Sequence, residues 1–229
     1  MRSPRSVTPT SPAPPHRLSG MARTAVVLAV PSVVLVILVA ISWSPLLDFD
    51  RSVAEWLHRW AVDEPGLVHV NRVLTDWFWD PWTMRVLIAV AFGWLWWRGE
   101  RVLAVWVAAT SAVGTFIQQG LKASIGRERP QWPDPVDSAH FAAFPSGHAM
   151  TATVACALLV WLAVRHGVTG RTRLWCVVLA AVSVAGAGGT RLFLGVHWPT
   201  DVLAGWLLGA CWVALSITAY HRLELSRRH

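Results

Sequence analysis

The sequence has few charged residues, and this scarcity excludes an ordinary soluble domain. Charged side chains make up 14% of the 229 residues, whereas about a quarter is usual in soluble domains. Hydrophobic residues make up 54%, and the mean hydropathy is +0.44. Only one tyrosine accompanies sixteen tryptophans, and tryptophan favours the interface between water and lipid. The composition is therefore that of a membrane protein.

Lysine is scarcer still, because Lys122 is the only lysine beside nineteen arginines. The formal net charge of +7 would suit a nucleic acid partner. However, the positive residues lie mostly at the ends of apolar runs and form no basic helix face, so we expect no nucleic acid partner. Since this chain uses arginine for general positive charge, the single lysine indicates a specific need for a compact ammonium group.

Cysteine is the third scarce residue. Cys156, Cys176 and Cys211 each lie inside an apolar run. An odd number of cysteines in such positions predicts small core residues and excludes a disulfide framework.

Long apolar runs predict an all-α, polytopic membrane protein with six transmembrane helices in a bundle. A run of about twenty apolar residues is long enough to cross a bilayer. The first run has no small-residue cleavage site close behind it, which favours a membrane anchor over a signal peptide. The predicted spans are 24–43, 83–97, 102–121, 146–164, 174–189 and 199–220.

The segment 48–80, between the first two spans, has a different character. It is rich in charge, and its apolar residues Val53, Trp56, Leu57 and Trp60 follow helical spacing. This pattern predicts an amphipathic segment that lies along the membrane interface.

The chain is thus divided into a disordered cytoplasmic tail at 1–22, the first span with the interfacial segment at 23–82, a core at 83–221, and a basic cytoplasmic tail at 222–229.

The positive residues predict a cytoplasmic N-terminus. With six spans and the N-terminus inside, twelve positive residues lie on the inner side and eight on the outer side. Loops rich in arginine and lysine stay in the cytoplasm. This orientation places three polar motifs together on the extracytoplasmic side.

These motifs combine positive charge, a helix start and histidine. They are Lys122-x6-Arg129-Pro130, Pro145-Ser146-Gly147-His148, and Arg191-x5-His197-x3-Asp201. The second precedes an apolar run, and the free N–H groups and dipole at such a helix start favour an anion. The three cations of the first and third motifs suit the oxygens of a phosphate group. The motifs therefore indicate a phosphate site.

His197 and Asp201 are the candidate reacting pair. They are four residues apart at a helix start, so they share one face. An aspartate bound to one ring nitrogen leaves a lone pair on the other, and such a histidine can attack phosphorus. His148 would be a separate acid that protonates the leaving alkoxide. The pair alone could equally cap the last helix, and three nearby cations argue against a metal.

With these motifs in this order, the sequence resembles the type 2 phosphatidic acid phosphatase (PAP2) superfamily. Its members include membrane lipid phosphatases and vanadium-dependent haloperoxidases, and its pattern is Lys-x6-Arg-Pro, Pro-Ser-Gly-His and Ser-Arg-x5-His-x3-Asp. The resemblance covers roughly residues 83–220. The one departure is Thr190, where the family usually has serine. Threonine keeps the hydroxyl group, so a hydrogen bond to phosphate remains available.

The resemblance implies the integral membrane lipid phosphatase branch, with a phosphatase core at 83–221. His197 would form a phosphohistidine, Asp201 would orient it, and His148 would be the general acid. The implied phosphate-binding residues are Lys122, Arg129, Ser146, Gly147, Thr190 and Arg191. The cations would replace the metal ion that other phosphatases use, so no cofactor is expected.

The expected function is hydrolysis of a lipid phosphate or diphosphate at the outer membrane face. Undecaprenyl diphosphate, phosphatidylglycerophosphate and phosphatidic acid are the candidate substrates, and the lipid bilayer is the expected partner. A lipid phosphotransferase with the same site is the main alternative. Long spans disfavour a haloperoxidase, and spans without central charges disfavour a lipid transporter. The sequence does not indicate an oligomeric state.

Overall fold

The fold is built of helices. The computed structural model describes residues 15–227, and no strand occurs in that range. Eight α-helices and one π-helical turn follow each other there, which confirms the predicted all-α class. They are α1 (Pro15–Ala40), α2 (Ser44–Asp63), α3 (Pro65–Val73), the π-helical turn (Leu74–Phe78), α4 (Pro81–Trp97), α5 (Arg101–Ile125), α6 (Gly147–Arg165), α7 (Gly170–Phe193) and α8 (Pro199–Ser226).

Five of the described helices are long and apolar enough to cross a membrane, which confirms the polytopic membrane class. They are α5, α6, α7, α8 and the part of α1 from Gly20 to Ala40. The predicted second span corresponds to α4. Its 17 residues extend about 25 Å, which is less than the hydrocarbon core of about 30 Å. Six crossings therefore remain a prediction.

The helix α1 begins earlier than expected. It starts at Pro15, inside the segment 1–22 that was predicted to be disordered, and the rest of that segment, 1–14, lies outside the described residues. Proline is favoured in the first turn of a helix. Met21 packs against the hydrophobic core, so the helix extends ahead of the apolar run.

The helix α8 likewise extends into the predicted basic tail at 222–229. It continues to Ser226, and residues 228–229 lie outside the described range. Glu224 stabilises this extension because its Oε1 accepts a hydrogen bond from Arg165 Nη2 of α6 at 2.5 Å. The polar end of α8 is therefore packed on a neighbouring helix and is not a free tail up to Ser226.

Close helix packing places the start of α6 against α8. A Cβ atom at Gly205 of α8 would lie 2.9 Å from the Ser146 carbonyl oxygen and 2.9 Å from Ala149 Cβ. In lipid, small residues stabilise helix pairs by letting the backbones approach. The Ser146 N–H also donates to the Asp201 carbonyl oxygen at 2.9 Å. The second and third motifs are thus joined directly.

The amphipathic helix α2 turns its polar stripe towards the protein. Trp56 and Trp60, from the predicted apolar face, are 57% and 46% exposed. Buried polar groups are costly unless they are partnered, so in a membrane protein they face the bundle interior. The buried residues of α2 are Asp50, Ala54, His58 and Ala61. The amphipathic pattern is present, whereas the interfacial location remains a prediction.

Candidate active site

The three motifs meet at one end of the helix bundle. Lys122 lies in the last turn of α5, and Gly126, with a φ of +60°, caps the end of this helix. Arg191 lies in the last turn of α7, and α6 and α8 both begin at the same end. The topology therefore gathers residues that are far apart in the sequence.

A cavity of about 280 Å³ lies between these helix ends. Six of the predicted site residues line it, namely Lys122, Arg129, Gly147, His148, Arg191 and His197. Ser146 and Asp201 are fully buried behind them. Thr190 is buried too, but its hydroxyl donates to the Gly186 carbonyl oxygen at 2.9 Å. In this arrangement Thr190 supplies no donor to the cavity.

Both ring nitrogens of His197 have hydrogen-bond partners. Nδ1 lies 3.2 Å from Asp201 Oδ2, and Nε2 lies 3.1 Å from Arg129 Nη1. Because a guanidinium group only donates, Nε2 is the acceptor and has the lone pair. The ring proton is therefore on Nδ1 and faces the Asp201 carboxylate. This is the tautomer that a histidine nucleophile requires.

Asp201 has two tasks at once. Its Oδ2 atom also accepts a hydrogen bond from the Trp198 N–H at 2.9 Å, so it caps the N-terminus of α8 as well as holding His197. The capping interpretation and the catalytic interpretation of the sequence are thus compatible. Because the cap anchors the carboxylate to the backbone, the position of the His197 ring is set by the start of α8.

The environment of His197 favours the neutral ring. Burial lowers the pKa of His197 well below its ordinary value of 6.5. The positive charges of Arg129, Arg191 and Lys122 lower this pKa further. The Nε2 lone pair is therefore available at neutral pH.

Arg129 connects His197 to the loop between α5 and α6. Its Nε donates to the Phe141 carbonyl oxygen at 2.9 Å, its Nη2 to that of His140 at 3.2 Å, and its Nη1 to that of Val196 at 2.5 Å. Burial, followed by the charge of Arg191, lowers the pKa of Arg129 to about 10. The guanidinium group thus stays protonated at neutral pH and is held at the cavity wall.

The other two cations, Lys122 and Arg191, are also held in place by contacts with the protein. The Nζ atom of Lys122 donates to the Ala142 carbonyl oxygen. Arg191 Nη1 lies 3.7 Å from Asp137 Oδ2 and 3.5 Å from Thr75 Oγ1. Its buried Nε has no hydrogen-bond partner within residues 15–227. Each cation can therefore still donate hydrogen bonds to an anion in the cavity.

The start of α6 contributes further donors. Ser146 is the N-cap residue, yet its side chain forms no capping hydrogen bond, and its buried Oγ is unpartnered among the described residues. The first N–H groups of a helix have no partner within the helix, and the helix dipole favours an anion there. His148, in this turn, lines the cavity. The arrangement can bind a tetrahedral anion next to His197.

Two charged residues behind the site, Asp50 and Arg127, are not among the predicted site residues. Arg127 Nη1 lies 2.7 Å from Asp201 Oδ1, and Arg127 Nη2 lies 2.6 Å from Asp50 Oδ2. Asp50 belongs to α2, where the stripe that repeats every three or four residues, Asp50, Ala54, His58 and Ala61, was the available signal. The apolar residues of the same helix give a stronger periodic pattern, which predicts a face at the membrane interface and does not single out Asp50.

Comparison with known proteins agrees with this arrangement. Residues 103–224, just over half of the chain, match the family model of the PAP2 superfamily. An Escherichia coli protein that is provisionally named an undecaprenyl-diphosphatase is 33% identical over 156 residues, which cover 62% of this chain and 73% of that protein. A decaprenylphosphoryl-5-phosphoribose phosphatase of Mycobacterium tuberculosis is 36% identical over 160 residues, which cover 65% of this chain and 78% of that protein.

A solved structure has the same fold. The crystal structure of a transmembrane PAP2 type phosphatidylglycerolphosphate phosphatase from Bacillus subtilis aligns with a TM-score of 0.77. The alignment covers 87% of this chain and 96% of that chain, at 22% identity. The resemblance inferred from the three motifs is confirmed, and the chain belongs to the PAP2 superfamily.

Proposed function

We propose that this protein is a membrane phosphatase that hydrolyses a lipid phosphate or diphosphate through a phosphohistidine at His197. The observation that carries this proposal is the geometry of His197, whose Nε2 lone pair lies at a cavity lined by Lys122, Arg129 and Arg191. The chain belongs to the PAP2 superfamily, and the phosphatase names of its matched relatives support phosphatase activity.

In the first step, His197 Nε2 attacks phosphorus. A nitrogen–phosphorus bond forms, and the bond from phosphorus to the leaving oxygen breaks. His148 donates a proton to that oxygen. Asp201 accepts the hydrogen bond from Nδ1–H and balances the positive charge that develops on the ring. Lys122, Arg129 and Arg191 stabilise the phosphoryl oxygens, so the positive charge comes from side chains.

In the second step, water releases the phosphate. His148, now neutral, accepts a proton from a water molecule as that water attacks phosphorus. The phosphorus–nitrogen bond breaks, inorganic phosphate leaves, and His197 regains its lone pair. His148 is protonated again, so both residues return to their starting states.

An apolar groove next to the site supports a lipid substrate. The groove has a volume of about 560 Å³ and lies between α4 and α5, where Ile88, Phe92 and Phe116 are among its lining residues. Arg85 lines both this groove and the phosphate cavity. A lipid whose phosphate occupies the cavity could therefore lay its chain in the groove. Undecaprenyl diphosphate, phosphatidylglycerophosphate and phosphatidic acid all have such chains.

We place the site on the extracytoplasmic side of the cell membrane. The support is the excess of arginine at the opposite end of the bundle, where Arg98, Arg101, Arg165, Arg171 and Arg173 lie near the α4–α5 and α6–α7 connections. Such residues stay in the cytoplasm. Substrates of the outer leaflet would reach the cavity directly.

The test is phosphate release by the purified protein in detergent. The panel contains undecaprenyl diphosphate, phosphatidylglycerophosphate, phosphatidic acid and water-soluble glycerol 3-phosphate, with His197→Ala as the matched control. We expect inorganic phosphate from at least one lipid, little from glycerol 3-phosphate, and none with the variant. If phosphate is instead transferred to another lipid, the protein is a phosphotransferase. Release that persists in His197→Ala would contradict the proposal.

A further inference from the structure

We propose that Asp50 is a positioning residue for His197 and acts through Arg127 and Asp201. This inference rests on the proposed function and concerns the same site. Asp50 lies on α2, outside the segment 103–224 that the family model matches. It touches no part of the cavity. Its effect on the reaction would therefore be transmitted to the nucleophile by Arg127 and Asp201, with Thr200 at the start of α8 as a further contact.

Asp50 is fully buried and well partnered. Its Oδ1 accepts a hydrogen bond from the Thr200 N–H at 2.9 Å, and its Oδ2 accepts one from Thr200 Oγ1. Its Oδ2 also lies 2.6 Å from Arg127 Nη2. Hydrogen bonds to charged groups are roughly twice as strong as neutral ones. Asp50 thus fixes the plane of the Arg127 guanidinium group relative to the start of α8.

The fixed Arg127 in turn orients Asp201. Its Nη1 donates to Asp201 Oδ1 at 2.7 Å and to Thr200 Oγ1 at 2.7 Å. The other carboxylate oxygen, Oδ2, faces Nδ1 of His197 and the Trp198 N–H. Each oxygen of Asp201 therefore has its own partner. If Arg127 were free to rotate, it could draw Asp201 away from the imidazole ring.

The charges of Asp50, Arg127 and Asp201, which form a row leading to His197, also matter for the chemistry. Asp50, Arg127 and Asp201 alternate as negative, positive and negative, so the row has a net charge of −1. Neutralising Asp50 would leave Arg127 and Asp201 with no net charge. Electrostatic interactions in a buried site are screened far less than in water. The positive ring that forms when His197 is phosphorylated would then lose its compensating charge.

A purely structural role for Asp50 predicts a different outcome. A hydrogen-bonded link between α2 and α8 would need only acceptor oxygens, and an asparagine retains one of them for the Thr200 N–H, while its amide NH2 group replaces the oxygen that faces Arg127. The charged groups around His197 are Asp201 of α8, Arg129 of the loop, Arg191 of α7 and Lys122 of α5. His148 of α6 is the further titratable group there. A change of charge at Asp50 alters the electrostatic balance around His197, whereas loss of the hydrogen-bonded link between α2 and α8 alters only the stability of the protein.

The test compares Asp50→Asn with the wild-type protein and with Asp48→Asn. Asp48 lies on the same helix, but its side chain is exposed. We expect Asp50→Asn to lower kcat about 10- to 100-fold, as for other members of buried networks, with KM changed less than about threefold. The acidic limb of the kcat/KM profile should move to lower pH, because the uncompensated Arg127 charge disfavours a protonated His197. Asp48→Asn should match the wild type.

A second variant separates charge from folding. The double variant Asp50→Asn/Arg127→Gln removes both charges and keeps the row at −1, so the acidic limb should return towards its wild-type position. If Asp50→Asn does not fold, the double variant carries the test through its kcat, which should stay below the wild-type value because no guanidinium group then orients Asp201. Wild-type kcat in every folded variant of Asp50 would overturn the proposal.

One readout requires no turnover. Nitrogen-15 NMR of the His197 ring at pH 7 reports its tautomer. We expect the Nδ1–H form in the wild type and a mixture of both forms in Asp50→Asn. If the wild type released no phosphate from any lipid, the proposed function would fail, yet this tautomer shift would still support the role of Asp50. An unchanged tautomer in Asp50→Asn would overturn that role.

Discussion

Arg129 Nη1 lies 3.1 Å from Nε2 of His197, so a cation of the phosphate site covers the lone pair of the proposed nucleophile. When a phosphoryl group enters the cavity, its oxygen can take over this hydrogen bond from Nε2. The guanidinium group then holds the phosphoryl group at the position from which the ring attacks. Substrate binding and exposure of the nucleophile are thereby linked through one side chain.

This relationship predicts the pH dependence of catalysis. The neutral form of His197 is required, and burial and the neighbouring cations lower its pKa well below 6.5. Activity should therefore be retained at pH 6.5 and fall only at lower pH, where the ring becomes protonated. In Arg129→Gln one cation is removed, so the pKa of His197 should rise and the acidic limb of kcat/KM should move to higher pH.

The measurement is kcat/KM between about pH 4 and 8 with a lipid phosphate in detergent. Arg129→Gln should also raise KM, since a phosphate ligand is lost. Arg59→Gln, at an exposed position of α2, is the control and should leave the profile unchanged. An acidic limb that moves to lower pH in Arg129→Gln would contradict the sign of this electrostatic argument.

The sequence predicted the site better than its surroundings. Three motifs with fixed spacing predicted a site of His197, His148, Asp201 and the three cations, because their residue types are rare in apolar runs. The fold brings these residues together, and their roles stay predictions. Asp50 is not among the predicted site residues, because it is one of ten charged residues in 48–80 and its stripe with Ala54, His58 and Ala61 is weaker than the apolar pattern of the same helix. The three-dimensional position of α2, which is set by long-range packing, decides that the stripe with Asp50 and not the apolar face is buried.

The helix ends show the same limit. Hydropathy predicted where the apolar part of each span lies, yet α1 and α8 both extend past it. The extension of α8 depends on an ion pair between Glu224 and Arg165 of another helix. The hydroxyl group of Thr190 likewise donates within its own helix. Which partner a polar side chain binds depends on distances in the folded protein, and sequence patterns do not contain these distances.

Catalysis should not require a metal ion. Lys122, Arg129 and Arg191 provide the positive charge at the cavity, and a divalent cation among them would be repelled. We expect full activity with excess EDTA, measured as phosphate release after removal of trace metals. Vanadate should inhibit, because it forms a five-coordinate mimic of the transition state. Complete loss with EDTA that Mg²⁺ restores would contradict this mechanism.

The orientation in the membrane can be tested by cysteine labelling. In a background without Cys156, Cys176 and Cys211, Gln131→Cys in the loop between α5 and α6 should react with an impermeant thiol reagent added to intact cells. Thr169→Cys, between α6 and α7, should react only after the membrane is permeabilised. Both positions are exposed. The opposite labelling pattern would place the site in the cytoplasm.

Close packing of α8 against α6 should be sensitive to Gly205. In Gly205→Ala the new methyl group would lie 2.9 Å from the Ser146 carbonyl oxygen, and overpacking of this kind typically costs about 1–3 kcal/mol. We expect a lower thermal unfolding midpoint in detergent and reduced activity, because Ser146 would be displaced. Gly120→Ala is the control, since its methyl group would meet no atom of the described residues within 4 Å. Equal midpoints for the two variants would be evidence against this packing.

In the proposed reaction, His197 is the nucleophile and His148 is the general acid. A nucleophile is needed for every substrate, whereas a general acid is needed only for a poor leaving group and typically contributes about 10²–10⁴-fold. His197→Ala should therefore abolish turnover of both a lipid monophosphate and an aryl phosphate with an acidic phenol. His148→Ala should lose the lipid reaction but retain the first step on the aryl substrate.

The most direct measurement is rapid-quench detection of phenol release from the aryl phosphate. His148→Ala should release a burst of about one equivalent of phenol per enzyme and then stall, because hydrolysis of the phosphohistidine still needs a base. His197→Ala should show no burst. Equal loss of the burst in both variants would contradict the assignment of His197 as nucleophile and His148 as general acid.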